Sequence, residues 1–130
     1  MGKNVVYASK VQDNDNIITF RNFEDQEVSF AKKGNDVVIS PVGAAKKGSV
    51  TIKDYLKDSK ANVSYRFDED GEIENLDSIL NQLQEFVNVD KSAAKKGQTI
   101  SGTRLDEAIT GSKYADKIYA NGGNDTISAG

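Results

Sequence analysis

The sequence predicts a mainly β fold: a β-rich region carrying one amphipathic α-helix, followed at the C-terminus by the start of a parallel β-solenoid of the roll type. Three observations predict it. Up to about residue 67, short runs of β-formers alternate at period two between Gly- and Asp-containing turns. Over about 74–89 the apolar period lengthens to that of a helix. From residue 98 onward a nine-residue period takes over. The division expected is a flanking or capping region at 1–97 and a repeat segment at 98–130.

The β region comes first. Ile17-Ile18-Thr19-Phe20 forms one run, Val28-Ser29-Phe30 alternates, and Val37-Val38-Ile39 follows the Lys33-Gly34-Asn35-Asp36 turn. Val50 and Ile52 share a face, as do Val63, Tyr65 and Phe67. Short Gly-centred turns between such runs predict antiparallel hairpins. Pro41, the single proline, ends its run. In the next stretch Leu76, Ile79, Leu80, Leu83 and Val87 fall on one helical face, with Phe86 at its edge and Asn75 as N-cap. Such a stripe is a core face.

Composition narrows the chemistry. The chain has 130 residues, 37% hydrophobic, 28% charged, with a net charge of −3, which permits a thin core. Basic and acidic residues are interspersed, so no cationic stripe for nucleic acid forms. Cys, His and Trp are absent, which excludes thiolate or imidazole metal sites and Ser-His or Cys-His catalysis. Any bound metal must be a hard cation held by oxygen. No apolar run reaches a membrane span of about 18 residues, and Met1-Gly2-Lys3-Asn4 does not open a signal peptide. An initiating Met on a fragment of a longer protein is the reading that fits. Val6 stands where a myristoylation motif needs Ser or Thr.

The repeat carries the functional argument. Ile100, Ile109, Ile118 and Ile127 are nine residues apart, as are Glu107, Asp116 and Asp125. A nine-residue period suits one short strand and one turn per repeat, with the Ile pointing inward. Successive strands go to alternate sides, so neighbours on one side come from repeats i and i+2. An acidic side chain ending each turn, together with backbone carbonyls, offers the oxygen donors that calcium takes six to eight at a time.

Asn121-Gly122-Gly123-Asn124-Asp125-Thr126-Ile127 resembles the repeats-in-toxin (RTX) calcium motif G-G-x-G-x-D-x-U-x. In that register Ala120 and Asn121 hold the first two glycine positions, Gly123 the third, and Asp125 the ligand aspartate. Gly111-Ser112-Lys113-Tyr114-Ala115-Asp116-Lys117-Ile118 resembles a degenerate opening repeat, and Gly102 to Ile109 a weaker one with Glu107 in the aspartate place. Upstream, Ile18 to Phe23, Val28 to Phe30, Gly34 to Ile39 and Gly48 to Leu56 are similar to the segment that follows a repeat block in RTX toxins, which implies a cap lying between two repeat blocks. The resemblance implies calcium as cofactor, with Asp116, Asp125, Glu107, Gly123 and Asn121 as metal-site residues. It also implies a parent toxin or adhesin secreted by a type I route and host-cell contact through that parent. With no His base, no phosphate loop and no marked carboxylate pair, no enzyme activity is expected of this segment. The alternatives are a glycan- or protein-binding adhesin module, for which Tyr7, Tyr55, Tyr65 and Tyr119 are the aromatics to test, and a metal-free solenoid cap.

Other candidates read as ordinary turns. Asp68-Glu69-Asp70-Gly71-Glu72-Ile73 is similar to an EF-hand loop, but Arg66 falls at its first ligand position and Asp77 at its last. Asp13, Asp15, Asp25, Asp36, Asp54 and Asp58 lie in turns and surface runs. Lys-Lys-Gly recurs at 32–34, 46–48 and 95–97 with unequal spacing, as a favoured surface turn.

Overall fold

Strands form where β-branched and aromatic residues alternate, but their partners are not always the next strand along. The computed structural model describes residues 3–21, 26–42 and 48–128. Asn22, Phe23, Asp25 and the Lys-Lys pair at 46–47 lie outside the described residues. Among the described residues the fold is mainly β without a closed barrel, and contacts divide the chain into two compact units, Met1–Ile79 and Leu80–Gly130.

In the first unit, β1 (Lys3–Tyr7), β2 (Asn16–Phe20), β3 (Val28–Lys33), β4 (Asp36–Pro41), β5 (Ser49–Lys53), β6 (Val63–Phe67) and β7 (Glu74–Asn75) precede the helix α1 (Leu76–Leu80). One sheet has the order β1-β5-β4-β3 and the other β2-β6-β7. β3 and β4 form an antiparallel hairpin, Lys33 opposite Asp36, around a two-residue connection. Its first residue, Gly34, has φ +61° while Asn35 stays at negative φ, as a type II′ turn requires.

Antiparallel hairpins were the expectation throughout this region, and two pairings correct it. β1 pairs with β5 in parallel, Lys3 opposite Ser49, 46 residues apart. β2 pairs with β6 in parallel, Asn16 opposite Val63, 47 apart. The cause is local. After β1 the chain enters a one-turn 3-10 helix, Ala8–Lys10, instead of a two-residue turn, so β2 goes to a different sheet. The same order recurs after β5, where the 3-10 turn Tyr55–Lys57 precedes β6.

Burial follows the pleat. Val37, Ile39 and Pro41 of β4 and Val50 and Ile52 of β5 are buried, while the residues between them are half-buried. Tyr55, Leu56 and Leu76 are fully buried, and the Tyr55 hydroxyl donates to Asp77 Oδ1 at 2.6 Å. Phe20, Tyr65 and Phe67 form an aromatic cluster with centroids 5.8–6.4 Å apart.

The single helix expected over about 74–89 is instead two short ones, α1 and α2 (Gln84–Val87). Leu83 between them is extended, at φ −107° and ψ 118°. Both ends of the expected helix are drawn into sheets, Glu74–Asn75 onto β6 and β8 (Asn88–Asp90) onto β10. Ladder bonds outweigh a weak helical propensity at those ends. Asn75 does cap α1, its Oδ1 accepting the Ser78 N–H at 3.1 Å. Phe86, placed by the periodicity at the edge of the stripe, is fully buried.

In the second unit, β9 (Thr99–Ser101), β10 (Ala108–Thr110), β11 (Lys117–Tyr119) and β12 (Thr126–Ser128) are three-residue strands. They form two parallel sheets, β12-β10-β8 and β11-β9. Pairing is between alternate repeats: Ile118 lies opposite Ile100, and Ile127 opposite Ile109, 18 residues apart each time. Ile100 and Ile109 are buried with Leu105 and Phe86. Ile118 is half-buried, and Ile127 is 47% exposed because β12 is the outer strand of its sheet.

Candidate functional site: the paired turns of the repeat

Pairing of alternate strands brings alternate turns together, and the acidic residues stitch each pair. Asp125 Oδ1 accepts the Glu107 N–H at 2.8 Å. In return, Asp106 Oδ1 accepts the Asn124 N–H at 2.7 Å. These two bonds run in opposite directions between the turn at 102–107 and the turn at 120–125. Asn121 adds a third, its Nδ2 donating to Gly102 O at 2.8 Å. On the other side, Asp116 Oδ1 accepts the Gln98 N–H at 2.8 Å.

Asp116 and Glu107 also close their own turns. Asp116 Oδ2 accepts the Ser112 N–H at 2.8 Å, and the Ser112 hydroxyl donates to Asp116 Oδ1 at 2.7 Å. One repeat earlier, Glu107 Oε1 accepts the Thr103 N–H at 2.7 Å. Glu107 is buried, 2% exposed. Its longer side chain is buried within its own turn, whereas the half-exposed Asp116 bonds both its own turn and the facing one. The hydrogen bond from the Ser112 hydroxyl, followed by the backbone N–H groups of Gln98 and Ser112, holds the Asp116 carboxyl below the usual aspartate range.

Backbone conformation sets how closely the turns approach. Gly123 has φ +81° and Asn121 φ +60°, in the left-handed region. A Cβ at Gly123 would overlap Leu105 O, and one at Gly102 would overlap Ala120 O and lie 2.7 Å from Glu107 Oε1. Only a residue without a side chain lets these turns stack.

The donors suit a hard cation in kind. All are oxygens, from the carboxylates of Asp116 and Asp125 and from carbonyls such as those of Leu105 and Ala120 on facing turns. They do not form a ready cage: among the described residues no three Asp or Glu side chains cluster. A cation held here would take most of its ligands from the backbone and water, and would share Asp125 with the Glu107 amide. Of the residues singled out from sequence, Asp125, Gly123 and Asn121 meet Glu107 at one turn pair, and Asp116 belongs to the other.

Sequence reasoning missed Asp106, Ser112 and Thr103. A signal for the last two was present. Thr103 and Ser112 are nine apart and each lies four before a periodic acid. The EF-hand-like loop is a turn: the Gly71 N–H donates to Asp68 O at 3.3 Å, and the Glu69 carboxylate pairs with Arg21 and Arg66.

Three-residue parallel strands joined by stacked Gly- and Asp-bearing turns thus recur every nine residues. Residues 101–130 match the family model of the RTX calcium-binding nonapeptide repeat, four copies, so this segment is similar to the RTX repeat. No curated protein and no solved structure matches the chain.

Proposed function

We propose that the chain is a non-enzymatic, calcium-binding structural and folding module of a larger secreted bacterial toxin or adhesin. The observation that carries the reading is the stitching of alternate turns by Asp116 and Asp125 within the matched repeat. Residues 98–128 begin a parallel β-roll, and residues 1–97 flank it. β8 supports the capping role, since it adds a strand to the inner edge of β10 and a bare strand edge attracts unwanted pairing. Calcium acts by linkage: an ion that binds the folded turns and not the open chain stabilises them, by about 2.7 kcal/mol at a hundredfold excess over Kd. Asp116 and Asp125 supply the charged ligands, with oxygens of Asn121, Gly123 and Glu107 beside them. The repeat family supports export by a type I route and host-cell contact through the parent protein. The absence of His and Cys and the mixed surface charge support a module without catalysis or nucleic-acid binding. Among the described residues no helix is long and apolar enough to cross a membrane.

A second reading, a metal-free cap, is favoured by one observation: backbone amides already occupy the Asp116 and Asp125 carboxylates. Calcium titration followed by circular dichroism and calorimetry, with magnesium as control, separates the two. Saturable calcium binding with a gain of β signal, lost in Asp116→Asn/Asp125→Asn, is expected. A chain fully folded in chelator and indifferent to calcium would establish the metal-free cap.

A further inference from the structure

The first unit carries a cleft remote in sequence from the repeat. It opens at the carboxyl ends of the parallel strands β1 and β5, where each strand runs into its 3-10 turn. Its volume is about 440 Å³, within the range of small-ligand sites. Tyr7 stands at it 55% exposed, an aromatic face offered to solvent, whereas Phe20 of β2 and Tyr65 of β6 are buried. Lysines outnumber aspartates among its lining residues, three to two.

Of the two aspartates, one is turned to the scaffold and the other faces a lysine. Asp58 accepts from Gln12 Nε2 at 2.7 Å and from the Lys60 N–H at 2.9 Å. Asp54 faces Lys57 at 3.7 Å across an exposed pair, which constrains the ammonium weakly. Asp54 is itself held at φ +63° by its N–H, which donates to Asp36 Oδ1 at 2.8 Å. Lys53 is anchored by Asp36 at 3.2 Å. Lys57 and Lys60 remain to meet an anion, Ser9 and Ser59 to meet hydroxyls, and the Tyr7 ring to meet an apolar face.

We propose that this cleft binds a carboxylated sugar, its acid group on Lys57 and Lys60, its hydroxyls on Ser9 and Ser59, and its ring against Tyr7. The combination of two ammonium groups, two hydroxyls and one exposed aromatic in a single small cleft matches the three chemical faces of such a sugar. A bare anion would leave Tyr7 unused, and a neutral sugar would leave the lysines unused.

Amide NMR of the full chain in chelator tests it, with sialyllactose as probe and lactose and acetate as controls. Saturable shifts confined to residues 7–12 and 53–60 are expected, with binding at least roughly tenfold weaker for either control. Lys57→Ala/Lys60→Ala and Tyr7→Ala should each abolish saturation while leaving the remaining spectrum in place, since these side chains are not in the core. Absence of saturable shifts up to about 20 mM, or equal response to lactose or to acetate, overturns the proposal. Chelator keeps this test separate from the calcium reading.

Discussion

At Asp116 one carboxylate accepts from both the N–H and the hydroxyl of Ser112 and from the Gln98 N–H across the turn pair. Because these bonds favour the ionised form, its folded pKa lies below the unfolded value of about 3.9. The stability it adds is therefore present above that unfolded value and is lost as pH falls through the folded one. Asp116→Asn should flatten the acid limb of the stability–pH curve below about pH 4, a change that urea melts at pH 3 and pH 6 would reveal. An isoleucine pair gives a second residue-scale expectation. Ile109→Asp places an unpaired carboxylate at a buried site and should cost more than about 3 kcal/mol. Ile127→Asp, at a 47% exposed position, should cost under about 1 kcal/mol. Equal melting shifts for the two would contradict the burial gradient. The nine-residue period made the acids and isoleucines legible. It could not say where the Asp125 carboxylate points, because its partner, the Glu107 amide, lies 18 residues away.

Turns and short strands are where local propensity and long-range pairing compete. The Gly34-Asn35 hairpin was legible because its geometry is settled within four residues. The 74–89 segment was not, since its apolar spacing is helical while both ends find strand partners, β6 and β10. Glycine substitutions probe the turns directly. Gly123→Ala meets both a positive φ and the Leu105 carbonyl, so it should destabilise the second unit by more than the strain of about 1–2 kcal/mol alone. Gly34→Ala has the same sign of φ with nothing within 4 Å, and should cost only that strain. Thermal melts of the two variants give the comparison.

For the molecule as a whole, the two-unit division determines where a cation should be felt. Hydrogen exchange in calcium against chelator should show added protection in 98–128 and none in β2 or β6. Added protection in both regions would place the ion's influence beyond the paired turns. The mainly β class was legible from alternation and from the nine-residue period. The order of strands in the first unit was not, since β1 with β5 and β2 with β6 are parallel partners with no turn sequence between them to announce the match.

Those two parallel pairings also bear on the order of events as the chain folds. β1 must find β5 across 46 residues, whereas Ile109 finds Ile127 across 18. Closing the longer loop costs about 0.8 kcal/mol more in chain entropy, roughly a fourfold penalty in encounter frequency. By loop length alone, the repeat strands meet first and the upstream sheets follow.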